Sequence, residues 1–173
     1  LGSSSTLINN ISNWLNIDPY RLLKMTYQGS GYDIAVARSK KTIFFEKKGQ
    51  FNEITQMDFS PPFKNNLFFI HLKKKAGTQK EVTKFLNKKN KFCNEILKIN
   101  SLGDMIVKEN NQKKFNEMIK EHEEIISDII YTKPIQKTLF KDFHGQIKSL
   151  GAWGGDFILA SGYYQLAIAD AYC

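Results

Sequence analysis

The stretch Leu1-Gly2-Ser3-Ser4-Ser5-Thr6 opens the chain and runs directly into Leu7-Ile8-Asn9-Asn10-Ile11-Ser12-Asn13-Trp14-Leu15. In the second part apolar residues recur at helical spacing, which predicts a helix. A small-residue loop that opens a helix leaves backbone N–H groups unpaired at the positive end of the helix dipole, and that combination binds phosphate. The serine hydroxyls add hydrogen-bond donors, and one of them could ligate Mg²⁺. Two alternatives stay open for this stretch alone, namely a serine N-cap and a Gly-Ser leader from cloning.

Two more glycine-rich stretches occur later in the chain. Gly29-Ser30-Gly31-Tyr32-Asp33 follows a predicted helix and places one carboxylate just after two glycines, while Gly151-Ala152-Trp153-Gly154-Gly155-Asp156 is a glycine-rich turn near the other end. Glycines suit turns in which the backbone passes close to a ligand. A tight β-hairpin is the structural alternative for the second stretch, and Asp156 fits either an oriented site residue or a residue that closes the turn. For Asp33 the structural alternative is an N-cap of a short element running from Ile34 to Arg38.

Together and in this order, the three stretches resemble the signature motifs of the galactokinase, homoserine, mevalonate and phosphomevalonate kinase (GHMP) family. The phosphate loop of that family reads Gly-Leu-Gly-Ser-Ser-(Ala/Ser), and the chain begins one residue inside it. The Gly-Ser-Gly-Tyr-Asp form at 29–33 is most similar to the phosphomevalonate kinase branch. The string Gly-Tyr-Asp-Ile-Ala also resembles a bacterial subgroup known by those five letters, GYDIA.

The resemblance implies an ATP-dependent kinase that transfers the γ-phosphoryl group to mevalonate or phosphomevalonate in the isoprenoid precursor pathway, with ATP and Mg²⁺ as cofactors. Asp33 is the expected catalytic residue, and Ser4 the expected Mg²⁺ ligand. The residues expected to bind the nucleotide are Gly2, Ser3, Ser4, Ser5, Gly151, Gly154 and Gly155. Those expected to bind the substrate are Gly29, Ser30, Gly31 and Tyr32. A GHMP kinase for a sugar or amino-alcohol acceptor and a non-catalytic nucleotide-binding relative stay open as alternatives.

The chain departs from the family pattern at two points. Mevalonate kinases also use a glutamate shortly before the catalytic aspartate, whereas no acidic residue lies between Asp18 and Asp33 here. Trp153 stands where the family usually has a glycine. The first departure leaves the Mg²⁺ ligands beyond Ser4 unassigned and favours the phosphomevalonate branch over plain mevalonate kinase.

The order of predicted elements indicates an α+β protein with two domains. Ser60-Pro61-Pro62 is the predicted boundary, because two prolines cannot continue the interior of a sheet. Residues 1–60 would be the C-terminal part of the GHMP N-terminal (ATP-binding) domain, which is ribosomal-protein-S5-like, and residues 61–173 the ferredoxin-like C-terminal domain. Both domains would be incomplete, the second lacking its last strand, and we expect the fragment by itself to be inactive.

Composition narrows the classes of partner. The 173-residue chain carries a net charge of +8 with 42% hydrophobic residues. We interpret its lysine clusters as a solvated surface and expect no nucleic-acid partner, since no known binding motif accompanies them. No apolar run reaches the length of a membrane span. Two widely spaced cysteines give no metal or disulfide pattern and favour the cytoplasm. The expected partner is a small-molecule substrate, and the oligomeric state is unknown at this level.

Overall fold

A computed structural model of the chain describes residues 3–26, 29–39, 41–49, 51–73, 92–151, 153 and 157–162. The chain divides into two compact units, Leu1–Phe59 and Ser60–Cys173, one residue before the division expected from the prolines. Both units contain helices and strands, which confirms the α+β class. The assignment of the units to kinase domains stays a prediction.

Three helices build the first part of the first unit: α1 (Ser3–Leu15), α2 (Pro19–Thr26) and α3 (Tyr32–Arg38). Asp18 caps α2 as predicted, because its Oδ1 accepts a hydrogen bond of 3.0 Å from the backbone N–H of Tyr20, and Pro19 occupies the first helical position, where no N–H is needed. α1 packs against both α2 and α3.

The buried face of α1 is narrower than its apolar pattern indicates. Ile8 and Ser12 are buried, whereas Trp14 is 84% exposed. The Ser12 hydroxyl donates a 2.7 Å hydrogen bond to the carbonyl of Ile8, which satisfies the buried hydroxyl within its own helix. Part of the apolar surface of α1 is therefore exposed to solvent.

A β-hairpin completes the described part of this unit. β1 (Thr42–Lys48) and β2 (Phe51–Met57) pair in antiparallel fashion from Thr42 opposite Met57 to Lys48 opposite Phe51. Gly49 adopts a left-handed φ of 61° in the turn between them, as two-residue hairpin loops require. α3 packs against β1, where the rings of Tyr32 and Phe45 meet edge to face at 6.5 Å.

The described residues of the second unit form a three-stranded sheet with helices packed against it. Its elements are a short 3₁₀ turn (Lys64–Asn66), β3 (Leu67–His71), α4 (Cys93–Ile106), α5 (Gln112–Ile130), α6 (Gln136–Leu139), β4 (Gly145–Ser149) and β5 (Phe157–Gly162). The strand order is β3-β5-β4, and β5 is antiparallel to both neighbours. β3 and β4 therefore run parallel to each other with β5 inserted between them, which is a split β-α-β arrangement.

One buried apolar cluster of this unit includes residues of β4 and β5 and of the segment before β4. Phe140, Ile147 and Ile158 form its fully buried centre. Ile70, Leu72, Ile135 and Phe143 pack around them. Phe63, just after the two prolines, packs its ring 5.0 Å from that of Phe115 on α5.

Several predicted elements differ from the observed ones. The low helix propensity of glycine predicts a break or kink at Gly103, but α4 continues through it to Ile106. The short helix expected from Ile135 to Phe143 is a single turn. The predicted helix start at Thr78 and the predicted C-terminal helix at 163–172 lie outside the described residues. Among the described helices, none combines the length and the apolar character needed to cross a bilayer.

Candidate functional site

The Gly29–Asp33 stretch forms a turn that leads directly into α3. Gly31 is the N-cap residue of that helix and has a left-handed φ of 86°. A Cβ at this position would lie 2.9 Å from Cε1 of Tyr20. Position 31 therefore requires glycine for two reasons, namely its left-handed backbone and its close contact with α2.

Asp33 lies in the first turn of α3, one residue beyond Tyr32, and its side chain is exposed. It is not the N-cap, so the structural alternative for this residue was wrong: Gly31 holds the N-cap position, and no side chain caps the helix there. A carboxylate in a first turn is stabilised by the helix dipole. The first unit therefore presents one accessible carboxylate directly behind a glycine turn.

Tyr32 is in contact with this carboxylate. Burial raises the pKa of Tyr32, and the charge of Asp33 and its hydrogen bond with the Tyr32 hydroxyl raise the pKa further. The phenol therefore stays protonated at neutral pH. Ser30 contributes to the same turn, since its Oγ accepts a 3.4 Å hydrogen bond from the backbone N–H of Tyr32.

The predicted phosphate loop is shorter than the sequence suggested. α1 begins at Ser3, so Ser3, Ser4 and Ser5 belong to its first turn. Leu1 and Gly2 lie outside the described residues. The side chains of Ser3 and Ser4 do so too, and they include the Ser4 hydroxyl that is the expected Mg²⁺ ligand. The first turn of α1 contains no acidic residue, so no carboxylate of that turn competes for its N-terminal N–H groups.

The last glycine stretch is described only in part. Gly151 has a left-handed φ of 63° and Trp153 one of 52°, and the backbone N–H of Leu150 donates to the carbonyl of Phe157 at 3.3 Å. The stretch thus connects two consecutive antiparallel strands, β4 and β5, as the hairpin alternative expects. Gly154, Gly155 and Asp156 lie outside the described residues. In the part of the chain that the structure describes, no group of three or more His, Cys, Asp or Glu could hold a metal ion.

Sequence reasoning missed a buried polar cluster in the second unit. Glu123 on α5 is only 1% exposed. Its Oε1 accepts a 2.9 Å hydrogen bond from the backbone N–H of Ser149, and its Oε2 accepts one of 3.1 Å from the Ser149 hydroxyl. The Lys148 ammonium lies 3.6 Å from the Glu123 Oε1 and 3.1 Å from the Nδ1 of His122. The signal available in the sequence was the helical spacing of Glu123, which lies four residues after Ile119 and three before Ile126 in a run of periodic apolar residues.

Burial controls the charges in this cluster. It raises the pKa of Glu123 and lowers the pKa of Lys148, while the attraction between the two opposes both changes. Burial, together with the positive charge of Lys148, lowers the pKa of His122 to about 4. His122 is therefore neutral at physiological pH, and its Nδ1 accepts a hydrogen bond from Lys148.

The cluster is part of a cap on the outer edge of β4. Gln136 on α6 donates from its Nε2 to the carbonyl of Gly145 at 3.0 Å, and its Oε1 accepts from the N–H of Ile147 at 2.9 Å. Glu123 accepts the hydrogen bond of the Ser149 N–H, which is the next N–H along this edge of β4. Two side chains thus provide the hydrogen bonds that a neighbouring strand would make, which protects an edge that could otherwise pair with another chain.

Comparisons of the chain with protein-family models, with curated proteins and with solved structures found no match.

Proposed function

We propose that the protein is a cytoplasmic, ATP-dependent small-molecule kinase of the GHMP type, with mevalonate or phosphomevalonate as the acceptor. The observation that carries the proposal is the conformation of the Gly-Ser-Gly-Tyr-Asp string. Gly31 turns the chain with a φ of 86°, α3 starts at the next residue, and the exposed carboxylate of Asp33 follows in its first turn. This turn brings an acidic group to the surface at a fixed position, as a residue acting on an acceptor hydroxyl requires.

The start of α1 supports a nucleotide site. α1 is a 13-residue helix that begins at Ser3 and carries no acidic residue in its first turn. The positive end of its dipole favours a phosphate group. The backbone at this end of the helix therefore fits the triphosphate of ATP.

The topology of the second unit supports the expected ferredoxin-like domain. In a ferredoxin-like fold the first and second strands are parallel and flank the third. β3, β4 and β5 have this order and these directions. A fourth strand beside β3 would complete the arrangement.

The proposed chemistry depends mainly on alignment and charge. ATP supplies the phosphoryl group, and Mg²⁺ neutralises the negative charge of its phosphates. The N-terminus of α1 would hold the phosphates, and Asp33 would accept the proton of the acceptor hydroxyl or orient that hydroxyl. Tyr32 would supply a hydroxyl donor beside Asp33, because burial and the Asp33 charge raise the pKa of Tyr32 and keep its hydroxyl protonated.

Asp33→Asn tests the proposal in the complete protein. The change keeps the size of the side chain and removes its charge, so we expect ATP binding and the fold to persist. Turnover, measured as ADP release with mevalonate and phosphomevalonate, should fall by about 10²–10⁴. Asp18→Asn is the matched control, since it removes the same charge from the same unit at a helix cap where Asn and Asp are equivalent. Normal turnover in Asp33→Asn would refute the proposed role.

A second candidate is a non-catalytic nucleotide-binding relative. It is favoured by the lack of any acidic residue between Asp18 and Asp33. Calorimetry that detects ATP binding, without turnover of mevalonate, phosphomevalonate, a sugar or homoserine, would support this candidate. Turnover of a sugar or homoserine but of neither mevalonate species would instead assign another acceptor within the same family.

A further inference from the structure

A cavity opens in the second unit beside the capped edge of β4. Its volume is about 520 Å³, and it lies between α5, α6 and the start of β4. Small-molecule sites have volumes of roughly 300–1,000 Å³. The cavity therefore has the size of a site for a small metabolite.

The cavity has an excess of positive charge. Lys120, Lys137 and Lys141 line it, together with Glu123 and Glu124. The carboxylate of Glu124 is paired with the ammonium of Lys137 at 3.5 Å. The carboxylate of Glu123 is taken up by its bonds to Ser149 and Lys148.

Two lysines consequently remain for a ligand. Among the described residues, the ammonium groups of Lys120 and Lys141 have no ion-pair or hydrogen-bond partner, and both residues are exposed. A lysine ammonium recognises phosphate as a point charge. The net charge of +8 of the whole chain adds a field that attracts anions.

Part of the polar lining of the cavity is held in place. Gln136 and Gln146 line the cavity. The Gln136 amide is fixed at both ends by the backbone of Gly145 and Ile147, and the Gln146 Nε2 donates to the carbonyl of Ile147 at 3.1 Å. Pro134, which also lines the cavity, is buried and has a rigid backbone. This part of the lining therefore loses little freedom when a ligand binds.

We propose that this cavity binds a small anion with two or more negative charges, of the phosphate-ester or polycarboxylate class, through Lys120 and Lys141. The site belongs to the second unit and is independent of the kinase function proposed above. A cavity of this volume fits a small metabolite, and we infer that the ligand is a small molecule.

Pyrophosphate and citrate are the two probes, because they carry similar charge on phosphate and on carboxylate groups. Each is titrated into the protein at 150 mM salt while the side-chain amide NMR signals of Gln136 and Gln146 are followed. These signals report binding in this cavity and not at the N-terminus of α1, so the result does not depend on the kinase proposal. We expect saturable shifts; shifts with pyrophosphate alone assign a phosphate ligand, and shifts with both assign a general polyanion.

The double variant Lys120→Gln/Lys141→Gln should bind the probe about tenfold more weakly, since two exposed charge contacts of about 0.7 kcal/mol each amount to that factor. Lys113→Gln/Lys114→Gln is the matched control. It removes two exposed lysines from the first turns of the same helix, away from the cavity, and should leave the affinity within about twofold. Equal losses in both variants would show only a general charge effect and would overturn the proposal. An absence of shifts in the wild-type protein would also overturn it.

Discussion

Glu123 holds Ser149 by two hydrogen bonds, one to its backbone N–H at 2.9 Å and one to its hydroxyl at 3.1 Å. This pair joins the middle of α5 to the last residue of β4. Gln136 makes the equivalent bonds to Gly145 and Ile147 on the same edge. A polar side chain from each of two helices therefore terminates the sheet at β4.

Glu123→Ala should destabilise the protein strongly. The substitution leaves the Ser149 N–H without its acceptor and leaves the largely buried Lys148 without its counter-charge. Removing one partner of a buried ion pair costs about 3–5 kcal/mol. Urea denaturation would measure the loss in the free energy of unfolding.

Glu121→Ala is the control for that measurement. Glu121 lies on the same helix and pairs with Lys98 at 2.6 Å, but both side chains are largely exposed. Exposed pairs contribute about 0–1 kcal/mol. A loss in Glu123→Ala no larger than in Glu121→Ala would contradict the edge-capping role.

His122 should make stability depend on pH between about 4 and 6.5. Its pKa is about 4 in the folded protein, below the ordinary value of 6.5, so the unfolded state binds more protons in this window. The free energy of unfolding therefore falls as the pH is lowered through this window, by roughly 3 kcal/mol from this group.

The matched variant is His122→Gln, which keeps an acceptor for Lys148. Glu123 has a raised pKa and acts in the opposite sense, because the folded state binds more protons there. Since Glu123 is present in both proteins, the difference between wild type and His122→Gln isolates the histidine. Identical pH profiles of the urea midpoint would rule out the assigned role.

Gly31→Ala should destabilise the first unit. The new Cβ would sit at a φ of 86° and 2.9 Å from the Tyr20 ring, so backbone strain of about 1–2 kcal/mol adds to a steric contact. Gly29→Ala is the control two residues earlier, where a Cβ meets nothing within 4 Å and φ is not positive. Thermal denaturation should show a lower Tm for the first variant only, and equal Tm values would contradict the structural requirement for glycine.

Gly103→Ala should have the opposite effect. Gly103 lies inside α4, where a Cβ meets nothing within 4 Å and φ is helical. Alanine lowers the conformational entropy of the unfolded chain and favours the helix, which stabilises by about 0.5–1 kcal/mol. A higher Tm is expected, and a lower one would show that α4 is interrupted at this glycine.

Local features of the sequence predicted most of the described elements. The Asp18-Pro19 pair indicated the start of α2, because both residues act through their own backbone and the next turn. The Gly49 turn and the apolar runs around it indicated the β1–β2 hairpin. Glycine spacing also indicated a tight turn before Asp33, since φ > 0 is a local requirement.

Tertiary structure alone decided what depends on residues distant in the sequence. The helix continues through Gly103 because the packing of α4 against α5 outweighs the low helix propensity of glycine. Asp33 lies beyond the N-cap position of α3 because Gly31 occupies that position, in close contact with Tyr20. The Glu123–Ser149 pair joins residues 26 positions apart. A periodic pattern assigns position 123 to an apolar stripe, but only packing of α5 beside the edge of β4 gives a buried carboxylate its N–H donor, its hydroxyl and its cation.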